Sequence, residues 1–117
     1  MSTKPLTTND LYEGVKAVLR KAGKPDTPYG VAKFLGASRQ CGYYWRDGES
    51  TMSDEHAKAA AEALGINPDY AVACMHLERE KNEEMRPIWA RIVSAVPYAA
   101  CLALAVFALP FLGVLRS

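Results

Sequence analysis

The sequence predicts an all-α protein, with five short helices in an N-terminal unit followed by a C-terminal transmembrane helix. Three observations lead there. Apolar residues recur at helical spacing between closely set glycine, proline and N-cap signals. No segment sustains the period-two alternation of a half-buried strand. Residues 92–115 run without a single charge.

Leu11, Val15, Val18, Leu19 and Ala22 share one helical face, and Gly23 with Pro25 supplies a stop, so the first helix is expected over about Asn9 to Ala22. Thr27 is the N-cap of a second helix with Pro28 in its first turn; Val31, Phe34 and Leu35 form its stripe, and Gly36 ends it after barely two turns. Ser38 caps a third helix running to about Asp47 before Gly48. A fourth follows Ser53, with Asp54 and Glu55 at its positive end and Ala57, Ala60, Ala61 and Leu64 inward before Gly65. Asn67 and Pro68 open a fifth. Helices this short need their apolar faces packed on one another, and Trp45, Phe34, Leu35, Val31, Leu19 and Leu64 are the expected core.

With 117 residues the chain has room for one modest domain and an appendage. The expected division is residues 1–78 as the helical domain, 79–91 as a charged connector, 92–115 as the membrane helix and 116–117 as a short tail. Cys41, Cys74 and Cys101 are odd in number, widely spaced and free of any Cys-x-x-Cys pair, which favours neither a disulfide framework nor zinc. The first ten residues lack the apolar stretch of a secretory signal, so the N-terminal domain is expected in the cytoplasm. Net charge is only +1, yet residues 1–46 carry eight bases against three acids while residues 47–78 carry one base against seven acids. Such a dipole would turn the first half toward a polyanion.

Ile92 to Leu115 is bracketed by Arg91 and Arg116 and, at about 1.5 Å per residue, would cover roughly 36 Å against a hydrocarbon core near 30 Å. Pro97 and Pro110 lie toward its ends, where membrane helices tolerate them. Arg79, Lys81, Arg86 and Arg91 precede the span and only Arg116 follows, which orients a single-pass inner-membrane protein with its N-terminal domain cytoplasmic. Trp89 would sit at headgroup level, and Ala95, Ala99 and Ala103 offer a close-approach face for a second copy. The alternative is a hydrophobic helix buried in a dimer partner.

The stretch "TPYGVAKFLGASRQCGYYWRDGESTMSDEHAKAAAEALGINPD" resembles the helix-turn-helix domains of phage repressors of the Cro and lambda-repressor type. The likeness rests on Ala32 in the second helix, Leu35-Gly36 at the turn, Ser38 capping the third helix, and the closing Trp45 and Gly48, and it spans roughly residues 8 to 75. The whole layout also resembles small phage-related proteins found with filamentous phages and integrated prophages. The resemblance implies a five-helix domain whose third helix enters the major groove of double-stranded DNA, with two copies on a two-fold site. Arg39 suits a bidentate contact with guanine, Gln40 one with adenine, and Tyr43, Tyr44 and Arg46 complete the outward face. Thr27, at the second helix N-terminus, and Lys33 would hold phosphate, and Ser38 would fix the start of the reading helix.

Two positions depart from that family. Gly42 stands where a branched apolar residue usually pins the third helix, and a helix-interior Gly costs about 1 kcal/mol, so the reading helix is expected to be loose unless Tyr43 or Tyr44 turns inward. Pro28 stands where many relatives carry a glutamine that supports phosphate and the third helix. Catalysis has little in its favour: His56 and His76 are isolated, no nucleophile and base arrangement is evident, and no cofactor is implied. The leading expectation is a phage or prophage transcriptional regulator tethered to the inner membrane. The competing one is a membrane-anchored phage protein whose helical domain binds phage or host proteins.

Overall fold

Four of the six described helices start where a side chain takes over a hydrogen bond that the first turn leaves open. In the computed structural model, which describes residues 4–99, α1 spans Thr8–Lys21, α2 Pro28–Phe34, α3 Arg39–Asp47, α4 Asp54–Leu64, α5 Pro68–Arg79 and α6 Arg86–Ala95. Thr7 and Asp10 form a reciprocal capping box on α1. Thr27 Oγ1 accepts from the Gly30 N–H, Ser53 Oγ from the His56 N–H, and Asn67 Oδ1 from the Asp69 N–H. At the far ends of α3 and α4, Gly48 and Gly65 take φ of 74° and 75°, the left-handed conformation that closes a helix cheaply only without a Cβ.

α1 lays Leu11, Tyr12, Val15 and Leu19 against α3 and α4, and α4 answers with Ala57, Ala60 and Ala61, all fully buried. Trp45 fills the centre at 2% exposure and meets His56 edge-on with ring centres 5.5 Å apart. Burying a side chain of that size contributes about 3 kcal/mol. Phe34, expected in the core, is 45% exposed: α2 has only two turns, and Val31, Ala32 and Leu35 occupy its inward side.

The long connections are closed by a buried hydroxyl. Thr8 Oγ1 donates to Glu78 Oε1 at 2.8 Å and accepts from the Met52 N–H at 2.9 Å, while the Thr8 N–H donates to the same carboxylate at 2.9 Å. The Glu78 carboxylate thus sits at the positive end of α1, where the helix dipole favours it.

The expected transmembrane helix over Ile92 to Leu115 is overturned. Ile92 to Ala95 are the last four residues of α6, which ends at Val96 ahead of Pro97, and no helix among the described residues is long and apolar enough to cross a membrane. Part of the segment 92–99 packs on the N-terminal unit, while Ile92 stays exposed. Val93 is buried, the Tyr98 ring meets Tyr70 edge-on at 5.3 Å, and Ile66 bridges to Ala99. Asn67 fastens this segment, its N–H donating to the Tyr98 carbonyl and its side chain to the Pro97 carbonyl, each at 3.0 Å. The rest of the run, residues 100–115, lies outside the described residues.

The described fold therefore has six helices rather than five, and the expected connector is partly α6. Pro87 does not interrupt it, because the second helical position needs no N–H partner. Trp89, expected at a headgroup, stacks on the His76 ring at 4.6 Å and 21°. Arg86 donates to the Leu77 and Glu80 carbonyls and joins the end of α5 to the start of α6.

His76 Nε2 lies 3.0 Å from Asp54 Oδ2, and Arg79 pairs with the other oxygen of the same carboxylate. Burial pushes the Asp54 carboxyl up, but the hydrogen bonds from Arg79 and His76, with their charges, outweigh it and hold it below its ordinary value. Its contribution to stability is therefore present above the ordinary carboxylate value and is lost as pH falls through the lower, folded value. Asp54→Asn is expected to flatten that acid limb of stability and to cost less than about 1 kcal/mol at neutral pH, the pair being well hydrated. Denaturant titrations from neutral to strongly acidic pH measure both effects.

Candidate nucleic-acid interface

α2 and α3 are joined by a tight turn and pack closely on one another. The contact depends on the lack of a side chain at Gly42. This residue is buried, and a Cβ built on it would stand 1.9 Å from the Pro28 carbonyl oxygen and 2.6 Å from its carbon. The backbone of α3 therefore lies directly against the first turn of α2. The expectation of a loose third helix is corrected on this point: Gly42 removes a side chain where the opposing surface is a carbonyl. Neither Tyr43 nor Tyr44 turns into the core, which Trp45 and Gly42 already close from α3.

The sequence-derived site residues all belong to this pair or its helix starts, and most of them are exposed. Arg39, Gln40 and Tyr44 are exposed on α3, with Tyr44 at 41%, and Tyr43 is half-buried between them. Lys33 is exposed near the end of α2. Thr27 is the α2 N-cap: its hydroxyl oxygen accepts from the Gly30 N–H, which leaves its own O–H and, Pro28 having no N–H, the Tyr29 N–H to offer a ligand. Ser38 occupies the α3 N-cap with extended backbone and makes no side-chain cap bond; its Oγ lies 3.3 Å from Cys41 Sγ instead.

Arg46 is exposed but committed. Its Nε and Nη2 lie 2.8 and 3.2 Å from the two Asp47 oxygens, its guanidinium covers the Tyr43 ring at 5.2 Å, and its backbone carbonyl accepts from Asn9 Nδ2 at 3.4 Å. The hydrogen bond to Asp47 raises the Arg46 guanidinium above its ordinary value, and the same bond lowers the Asp47 carboxyl. Arg20 is likewise paired, its Nε 3.0 Å from Asp26 Oδ2. Of the eight basic residues in positions 1–46, six have no carboxylate within ion-pair distance among the described residues.

No family model matches the chain, and neither does any curated protein or solved structure. Function must then be argued from the side chains themselves. Among the described residues no cluster of three or more His, Cys, Asp or Glu is arranged to hold a metal.

Sequence reasoning missed Tyr29. It is 46% exposed in the first turn of α2, and the Arg39 guanidinium carbon lies 5.5 Å from its ring centre. Only the pairing of α2 with α3 makes it a neighbour of the exposed face of α3.

Gly42→Ala gives this geometry a direct test. On an isolated helix the change would stabilise by about 1 kcal/mol. Here the methyl meets a backbone carbonyl that cannot rotate away, so a net loss of roughly 2 kcal/mol is expected, the usual scale of core overpacking. A thermal melt followed by circular dichroism reads the sign, with the midpoint falling by roughly 10 °C for a domain of this size.

Proposed function

We propose that the protein is a sequence-specific DNA-binding regulator of phage or prophage type that presents α3 to the major groove of double-stranded DNA. The observation that carries the reading is the outward set Arg39, Gln40, Tyr43 and Tyr44 on a helix whose opposite face is seated against α2. A seated helix presents its side chains at fixed positions, as reading base edges requires.

Each residue has a role in this proposal. Arg39 donates two parallel hydrogen bonds to the O6 and N7 of guanine, and Gln40 pairs with adenine through its amide. Tyr43 and Tyr44 lie over thymine methyls or reach phosphates. Lys33, with the Thr27 O–H and the Tyr29 N–H at the start of α2, holds the backbone and sets the register without reading sequence. Asp47 neutralises Arg46, which is assigned no base. With Arg39 assigned to guanine, five uncommitted bases in each copy remain for phosphate, so the six to ten contacts that give steep salt dependence need two copies. One module buries little surface, so two copies on a two-fold site are part of the proposal.

A second reading, binding of a protein partner, is favoured by one observation. Met85, the N-cap of α6, and Ile88 and Ile92 within it are each 38–39% exposed at helical spacing, an apolar stripe that DNA reading leaves unused.

Arg39→Ala separates the two. If α3 reads DNA, the substitution weakens binding of a labelled duplex from upstream of the protein's own gene by at least about five-fold, since a good bidentate pair is worth about 1–3 kcal/mol. It should leave the thermal midpoint unchanged. Lys33→Ala should weaken all duplexes alike and lower the slope of log affinity against log salt by about one. Fluorescence anisotropy of the full chain at several salt concentrations measures both. Binding indifferent to Arg39 would sink the DNA reading.

A further inference from the structure

Two arginines of α3 lie over tyrosine rings, and they are held differently. Arg46 covers Tyr43 while both Asp47 oxygens take one edge of its guanidinium, so its charge is neutralised and two of its five N–H donors are used within the helix. Arg39 lies 5.5 Å over Tyr29 and has no carboxylate partner among the described residues. The two modes have different consequences. A carboxylate takes up the in-plane donors that a guanidinium would use on a ligand, whereas a ring attracts the flat face of the cation and leaves those donors free.

The ring is itself well placed to act as a support. Tyr29 follows Pro28, whose carbonyl is the group pressed against Gly42, so it is carried on the tightest backbone contact between α2 and α3. Arg39 is the first residue of α3, following the turn that leaves α2. The close approach of the two helices therefore fixes the distance between the ring and the start of α3. Tyr29 has little packing role, being nearly half exposed.

Taking DNA reading by α3 as given, we infer that Tyr29 is a positioning residue: its ring face orients the Arg39 guanidinium, donors outward, toward the O6 and N7 edge of a guanine. Specificity at that base then depends on a residue of α2 that contacts no base. The ring restricts the rotamers of a long side chain before binding, so less freedom is lost when the contact forms. An exposed cation–ring contact of this kind corresponds to about a two- to five-fold effect on affinity.

The test uses the full chain as wild type, Tyr29→Phe, Tyr29→Ala, Arg39→Ala and the Tyr29→Ala/Arg39→Ala double variant. NMR of the Arg39 Nε–H reads the ring contact without any DNA: its ring-current shift should persist in Tyr29→Phe and vanish in Tyr29→Ala. Anisotropy then compares a labelled duplex from the upstream region with mixed-sequence genomic DNA. Tyr29→Ala should weaken the upstream duplex about three-fold and leave mixed DNA unchanged. Tyr29→Phe should match wild type, and the double variant should bind no worse than Arg39→Ala. The inference is overturned if Tyr29→Ala binds like wild type, or if the Arg39 shift is indifferent to the ring. It is also overturned if Tyr29→Phe loses as much as Tyr29→Ala, because the hydroxyl would then be the active group, contacting phosphate. A wild type with no preference for the upstream duplex would bring down the DNA reading and this inference together, while the NMR arm would still report whether the ring holds the arginine.

Discussion

The backbone contact between Gly42 and the Pro28 carbonyl is the constraint on which the arrangement of α2 and α3 rests. Two short helices cannot hold a fixed angle through long side chains alone, since each presents only one or two buried positions to the other. Removing a side chain at the crossing lets the main chains meet, and main-chain surfaces have no rotamers in which to slide. Two features that look like defects on separate helices therefore belong to one contact. The sequence near it follows suit: Thr27 caps the helix that carries the carbonyl, and Trp45, one turn beyond Gly42, anchors the other helix in the core.

The rest of the structure distributes polar ties where apolar burial is thin. α4 contributes mostly alanines to the core, which let α1 come close but bury little area. Directed bonds supplement them: Thr8 gathers the Met52 backbone and the Glu78 carboxylate, Asp54 joins His76 and Arg79, and Asn67 holds residues 97 and 98. Each spans a long stretch of chain, and those at Thr8 and Asn67 satisfy buried polar groups that would be costly to leave unpaired.

The sequence was most legible where signals are local. Thr27, Ser53 and Asn67 stand at the helix starts their chemistry suggested, and Gly48 and Gly65 at the ends. The first helix was nearly legible, beginning one residue earlier because Thr7 and Asp10 close a capping box that periodicity alone does not register. Legibility failed where the deciding partner is distant. The charge-free run looked continuous because hydropathy cannot distinguish residues that face lipid from residues such as Val93 that face α5. Trp89 gave no sign of His76, and Gly42 gave no sign of the carbonyl opposite it. Of the candidate site, the exposed face of α3 followed from helical spacing. The neutralisation of Arg46 by its neighbour and the approach of Tyr29 to Arg39 depend on rotamers and on helix pairing, which no spacing encodes.

The tie between Thr8 and Glu78 bears on the order of events when the chain folds. It joins residues 70 positions apart and so closes one of the longest loops in the described chain, whereas α2 meets α3 across a handful of residues. Loop closure costs entropy that grows with separation, and contacts between near neighbours form without that delay. The helix pair that presents Arg39 is thus among the cheapest parts to assemble, and the seam at Thr8 is among the last to close. By the same reasoning the seam opens first under stress, exposing the amides of Thr8 and Met52 to solvent exchange before the start of α3 loses its seat.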